Sequence, residues 1–145
     1  MREILVIEDN RHDAAMILEA MQEQGIGNDV CVLRNGADAL DYIFGVEGCL
    51  QRPDGGCPRF ILLDLKLPKV GGMEVLSRLK SDDRTRDIPV IVFTSSNEAR
   101  DRTESSRLGA NSYVVKPLGA DLFSRTVVSI SDYWLMMNRT PYRDA

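Results

Sequence analysis

Residues 60–63 form an unbroken apolar run, Phe60-Ile61-Leu62-Leu63, that ends in a single carboxylate at Asp64. An apolar run without alternation is typical of a β-strand covered on both faces. Three similar runs occur at residues 4–7, 90–93 and 113–115, and a weaker one occurs at residues 30–33. The sequence therefore predicts five strands, with residues 60–63 as the third.

Between these runs, apolar residues recur with helical spacing, as at Ala14, Ile17 and Met21. Residues 97–107 stand where a helix belongs but have Ala99 as their one clearly apolar residue, so we expect that helix to pack weakly. Five repeated β-α units predict an α/β fold with a doubly wound parallel sheet. Right-handed crossovers favour the flavodoxin-like strand order 2-1-3-4-5.

The composition predicts one globular domain over residues 1–145, with 43% hydrophobic residues, 28% charged residues and a net charge of -4. The acidic balance argues against nucleic-acid binding, and no apolar stretch approaches the ~20 residues of a membrane-spanning helix. Three cysteines, an odd number, indicate reduced thiols. With no signal peptide evident, we expect a cytoplasmic protein. The Gly- and Pro-containing insertion at residues 45–58 is expected to form an exposed loop.

Polar side chains stand at the carboxyl ends of the predicted strands, where open parallel sheets bind their ligands. These residues are Glu8 and Asp9 after the first strand, Asp64 after the third, Thr94 and Ser95 at the fourth, and Lys116 and Pro117 after the fifth. We expect them to lie together at one edge of the sheet.

Neighbouring carboxylates repel one another, and a hard divalent cation with oxygen ligands, such as Mg²⁺, would relieve that repulsion. Asp64 is placed to act as a carboxylate nucleophile toward phosphorus, which would give an aspartyl-phosphate. Lys116 would neutralise charge on the transferring group, and the Thr94 hydroxyl could donate to a phosphoryl oxygen. Ser95 is small and would leave that group space.

The order and spacing of these motifs resemble response-regulator receiver domains of bacterial two-component signalling, over essentially the whole chain. The matching segments are Val6-Ile7-Glu8-Asp9-Asn10, Leu63-Asp64-Leu65-Lys66-Leu67-Pro68, Gly71-Gly72, Phe93-Thr94-Ser95-Ser96, Gly109-Ala110 and Lys116-Pro117.

The resemblance implies roles for individual residues. Asp64 would be the phosphoacceptor and would share a Mg²⁺ ion with Asp9 as a direct ligand, Glu8 mostly through water, and the backbone carbonyl of Lys66. Thr94 and Tyr113 would form the family's switch pair, and Lys116 would be its phosphoryl-binding lysine. The peptide bond before Pro117 would be cis, a form that only proline makes accessible at low cost.

The insertion at residues 45–58 and the tail from Tyr133 to Pro141 resemble stand-alone regulators that serve bacterial phytochrome kinases. This resemblance implies a module that takes a phosphoryl group from a sensor histidine kinase of the phytochrome type and signals through a changed binding surface. Such a module is not an enzyme in the usual sense, because it catalyses only its own phosphorylation and dephosphorylation.

The helix and tail over residues 119–145 are predicted to be an interaction extension. They include five successive apolar residues, Tyr133, Trp134, Leu135, Met136 and Met137. One helix face cannot hide five successive apolar residues, so we predict a homodimer through this run. The chain's own sheet and a kinase are the alternative partners for this surface.

Three other functions are alternatives to this interpretation. A phosphatase of the haloacid-dehalogenase type needs a second acid two residues after its nucleophile, where Lys66 stands. A flavin mononucleotide carrier would place phosphate beside Glu8 and Asp9, which would repel it. A scaffold that keeps the fold but takes no phosphate is the third alternative, although no acceptor or metal residue is missing.

Overall fold

The computed structural model describes residues 3–53 and 55–139. Its sheet consists of five parallel strands, β1 (Ile4–Ile7), β2 (Val30–Leu33), β3 (Phe60–Leu63), β4 (Val90–Thr94) and β5 (Ser112–Val115). The strands lie in the order β2-β1-β3-β4-β5. This order confirms the predicted flavodoxin-like topology.

The register of the two central strands brings two acidic residues to the same edge. Ile7 of β1 pairs with Leu63 of β3, so Glu8 and Asp64 follow at neighbouring positions. The backbone N–H of Asp64 donates to the Ile7 carbonyl at 3.0 Å, which continues the ladder by one residue. Both strands are buried along their whole length, because helices cover the two faces of the sheet.

In the described part of the chain, five α-helices alternate with the strands: α1 (Arg11–Glu23), α2 (Gly36–Phe44), α3 (Gly72–Ser81), α4 (Ala99–Arg107) and α5 (Ala120–Asp132). One core lies between the sheet and the helices α1 and α5, around Ile17 and Phe123. A second core lies on the other face, under α2 and α3. Within α4, all of which is described, Ser105 alone is buried. The prediction of a weakly packed fourth helix is therefore confirmed.

The first two helices begin with the same cap. The side chain of Asn10 accepts from the backbone N–H of Asp13 at 2.9 Å, and that of Asn35 accepts from Asp38 at 2.7 Å. Each cap satisfies one of the backbone donors that a helix start leaves without an intrahelical partner.

The insertion before β3 differs from the expected exposed loop with reduced thiols. Cys49 and Cys57 form a disulfide, with their Cα atoms 5.0 Å apart. The prediction of three reduced thiols is therefore wrong for two of them. A 3₁₀ turn at Cys49–Gln51 folds the loop back and buries Cys49 in the core under α2 and α3, which brings the two cysteines within bonding range.

Helix α5 continues into a π-helical turn at Tyr133–Met137, where the Asn138 N–H donates to the Tyr133 carbonyl at 2.7 Å. Trp134 and Leu135 are half-buried against the core of their own domain. Tyr133, Met136 and Met137 are 48%, 71% and 70% exposed. Residues 140–145, part of the predicted extension, lie outside the described residues. None of the helices in the described part of the chain is long and apolar enough to cross a membrane.

Candidate functional site

Lys116 lies at the centre of the acidic edge of the sheet. Its Nζ is 2.8 Å from Glu8 Oε1, 2.8 Å from Asp13 Oδ2 and 3.1 Å from Asp64 Oδ2. Only 7% of the Lys116 side chain is exposed, and only 2% of the Glu8 side chain. An ammonium has three N–H donors, so each has a carboxylate partner.

The charges of this cluster perturb one another. Burial raises the pKa of Glu8 to about 7, an effect that the hydrogen bond from Lys116 opposes and the charge of Asp64 reinforces. Burial alone would lower the pKa of Lys116. The hydrogen bonds to Asp13 and Glu8 and the charge of Asp64 outweigh burial and raise it above its ordinary range. Lys116 is therefore a fixed cation at this edge.

The loop after β3 is shaped closely around Asp64. The Lys66 N–H donates to Asp64 Oδ1 at 3.3 Å, and the Gly72 N–H donates to the Leu65 carbonyl at 3.0 Å. A β-carbon at Gly72 would overlap the backbone oxygen of Asp64, so only glycine allows α3 to begin this close to the backbone of Asp64 and Leu65.

The metal ligands implied by the sequence offer oxygen donors only, which suits Mg²⁺. Glu8 and Asp64 are buried and Asp9 is exposed beside them. Arg34 holds the backbone of this acidic pair, since its guanidinium donates to the carbonyls of Glu8 at 3.0 Å and Asp9 at 2.6 Å. Within residues 3–53 and 55–139, no three acidic, His or Cys side chains converge at metal-binding distances. Lys116 contacts both buried carboxylates, so a bound cation must share or replace those contacts.

The predicted switch residues meet at Ser96. Thr94 is fully buried, and its Oγ1 accepts from the Ser96 N–H at 3.4 Å. The Tyr113 hydroxyl donates to the Ser96 carbonyl at 2.9 Å. The Ser96 hydroxyl also donates to Asp101 in the first turn of α4, at 2.5 Å. Ser95, in contrast, is exposed at the mouth of the site.

The predicted cis peptide bond before Pro117 is wrong, because the Lys116–Pro117 bond is trans. The trans form is favoured by about 0.5–1 kcal/mol for bonds that precede proline. The Lys116 N–H donates to the Thr94 carbonyl at 2.7 Å, which extends the β4–β5 ladder, and Lys116 Nζ still reaches Asp64.

Sequence reasoning missed three residues that organise the site. Asp13 is the first of them, because its carboxylate accepts from Lys116 Nζ at 2.8 Å. Ser96 joins the two switch residues to α4, and Arg34 holds the backbone of Glu8 and Asp9. A short-range signal exists only for Ser96, which stands two residues after Thr94 at a strand end.

Residues 4–127 match the family model of the response regulator receiver domain. The chain belongs to this family. It is 44% identical over 140 residues to a probable methanogenesis regulatory protein, FilR2, of Methanothrix harundinacea, which covers 95% of this chain and 86% of that protein.

Two solved structures add to this result. The phosphorylated cyanobacterial phytochrome response regulator RcpA is 32% identical, with a TM-score of 0.85 over 97% of this chain and 99% of its own. The Mn(2+)-bound form of response regulator Rcp1 is 30% identical, with a TM-score of 0.83 and the same coverage. Rcp1 comes from Synechocystis. The similarity therefore includes phytochrome-associated regulators and spans nearly their whole length.

Proposed function

We propose that this chain is a two-component response regulator that is switched by phosphorylation of Asp64. The observation that carries the proposal is the contact between Asp64 and Lys116. A buried carboxylate at the end of β3 lies 3.1 Å from a fixed ammonium that can stay with an incoming phosphoryl group. The donor would be a phosphohistidine of a sensor kinase.

The proposed transfer is a single displacement at phosphorus. An oxygen of Asp64 forms the new O–P bond while the P–N bond to histidine breaks, and the electron pair of that bond stays on the imidazole nitrogen. Lys116 balances negative charge on the phosphoryl oxygens throughout. Mg²⁺, held by Glu8, Asp9, Asp64 and the Lys66 carbonyl, would supply further positive charge to the same oxygens.

Phosphorylation would act on α4 through Ser96. A phosphoryl group on Asp64 offers acceptor oxygens that compete for the Thr94 hydroxyl. Movement of Thr94 disturbs Ser96, and with it the contacts to Tyr113 and Asp101. Because α4 buries little, a modest change in free energy can reposition it.

We infer protein partners for this module, and the acidic net charge of -4 disfavours nucleic acid or membrane. The similarity to RcpA supports a kinase of the phytochrome type. The exposed Tyr133, Met136 and Met137 support a homodimer. We expect the protein to act in the cytoplasm as a single receiver domain, with catalysis confined to its own phosphorylation and dephosphorylation.

The test of the proposed function is phosphorylation by phosphoramidate with Mg²⁺, followed by intact-protein mass spectrometry. We expect the wild type to gain one phosphoryl group and Asp64→Asn to gain none. Asp38→Asn, which changes an acidic residue in the first turn of α2 away from Lys116, is the matched control and should be labelled like the wild type. Equal labelling of Asp64→Asn would refute the assignment. Candidate kinases that have been autophosphorylated with labelled ATP can then be tested for transfer of the labelled phosphoryl group to this protein, which would identify the kinase class.

A further inference from the structure

Asp13 uses its carboxylate differently from the residue that occupies the same place in the next helix. Both Asp13 and Asp38 donate their backbone N–H to a capping asparagine. Asp38 Oδ2 also accepts from the side chain of its own cap, Asn35, at 3.0 Å, and so closes a local capping pair. Asp13 Oδ2 turns instead to Lys116 Nζ, which is 103 residues away along the chain. Local helix capping therefore does not account for the side chain of Asp13.

The contacts of Lys116 divide into two kinds. Glu8 and Asp64 are residues that must give up their contacts with the ammonium, at least in part, when a cation or a phosphoryl group arrives. Asp13 belongs to neither of those exchanges, and its side chain is 20% exposed on the first turn of α1. Among the three carboxylates, Asp13 is the partner that Lys116 can keep throughout.

We propose that Asp13 is a positioning residue, which holds Lys116 at the site while Glu8 and Asp64 exchange the ammonium for Mg²⁺ and the phosphoryl group. Without Asp13, Glu8 and Asp64 are the carboxylates that remain at Lys116 within residues 3–53 and 55–139. The ammonium then competes more strongly with the divalent cation for both. This inference rests on the proposed function, since it concerns the residues that would carry it.

The proposal predicts two measurable changes in Asp13→Asn. The dissociation constant for Mg²⁺, measured by isothermal titration calorimetry, should rise about fivefold, which corresponds to the ~1 kcal/mol of a partly exposed ion pair. The rate of phosphorylation by phosphoramidate at saturating Mg²⁺ should also fall by several-fold, because Lys116 is held less firmly beside Asp64.

The matched control is Asp38→Asn, which removes the corresponding carboxylate from α2 and should leave both quantities within about twofold of the wild type. Both variants keep the backbone N–H that the asparagine cap uses. Circular dichroism checks that α1 is intact, and Asp13→Ser carries the same test if Asp13→Asn loses helical signal.

The decisive measurement is a double-mutant cycle with Lys116→Met. If Asp13 acts through Lys116, replacing Asp13 in the Lys116→Met background should change Mg²⁺ affinity much less than in the wild type. An equal effect in both backgrounds would overturn the proposal, because Asp13 would then act by its charge alone. Wild-type affinity in Asp13→Asn would also overturn it. Failure of the wild type to bind Mg²⁺ or accept phosphate would instead refute the proposed function.

Discussion

The hydroxyl of Tyr113 donates a 2.9 Å hydrogen bond to the backbone carbonyl of Ser96. Tyr113 is a half-buried residue of the edge strand β5, and Ser96 stands in the loop that leads from β4 into α4. This bond ties the edge of the sheet to the start of a helix that buries little of its own surface. Together with the bond from Ser96 to Asp101, it links β5 to the first turn of α4.

Replacing Tyr113 with phenylalanine removes this bond and leaves the ring in place. We expect the free energy of unfolding to fall by about 1 kcal/mol, the usual contribution of one hydrogen bond. Amide hydrogen exchange should accelerate in residues 95–107 of the unphosphorylated protein, because α4 loses an anchor. Exchange over residues 11–23 is the internal control and should stay unchanged. Unaltered exchange in residues 95–107 would show that Tyr113 does not hold α4.

The pH dependence of stability should carry a contribution from Lys80. Its Nζ donates to the carbonyls of Arg86 and Ile88 and to Asn111 Oδ1, at 2.8–2.9 Å. Burial lowers the pKa of Lys80 to about 8, against the opposing charge of Asp87. Between pH 8 and the ordinary value of 10.5, the unfolded chain binds a proton that the folded protein has released. The free energy of unfolding should therefore rise with pH across this window.

Urea unfolding between pH 7.5 and 10.5 measures this effect when the wild type is compared with Lys80→Met, which has no ammonium to titrate. As pH rises, the free energy of unfolding of the wild type should increase by on the order of 1 kcal/mol relative to that of the variant. Below pH 8 the plots of unfolding free energy against pH should run parallel for the two proteins, since Lys80 is charged in both the folded and the unfolded wild type. Parallel plots over the whole range would mean that burial does not shift the pKa of Lys80.

The strand order and the weak fourth helix could be predicted because both depend on how apolar residues are distributed along the chain. The contact between Asp13 and Lys116 could not. The segments Asn10 to Asp13 and Asn35 to Asp38 share the same spacing in the sequence and the same cap in the structure. What differs is whether a cation from a distant strand end lies within reach, and only the assembled sheet determines that.

The disulfide was missed for a related reason. An odd number of cysteines favours reduced thiols as an average rule, but pairing depends on how a loop folds back. The cis bond before Pro117 was implied by the family resemblance alone, and no side chain or spacing in the sequence bears on the isomer of that bond.

Reduction of the Cys49–Cys57 disulfide should destabilise the protein. The bond closes a loop with a sequence separation of 8, for which chain entropy predicts a loss of about 2–3 kcal/mol. Urea unfolding with and without dithiothreitol measures the loss. The Cys49→Ala, Cys57→Ala double variant should match the reduced protein and show no response to the reductant. A wild type that is unaffected by complete reduction, verified by thiol titration, would contradict this expectation.

The proposed homodimer can be tested by substituting residues that are exposed and do not pack against the core. Met136 and Met137 are 71% and 70% exposed, whereas Trp134 packs against the core of its own domain. Changing Trp134 would therefore disturb folding as well as association, and Met137→Lys separates the two effects.

Burying apolar surface of this turn against a second copy would favour association by ~25 cal/mol per Å² of apolar area, and a buried lysine would oppose it. We expect sedimentation velocity to show a dimer for the wild type and a monomer for Met137→Lys. At concentrations low enough to dissociate the wild-type dimer, the two proteins should have equal melting temperatures. Val46→Lys, at an exposed valine outside the turn, is the control and should remain dimeric. A wild type that stays monomeric with and without phosphoramidate would exclude the dimer and leave a kinase as the partner for this surface.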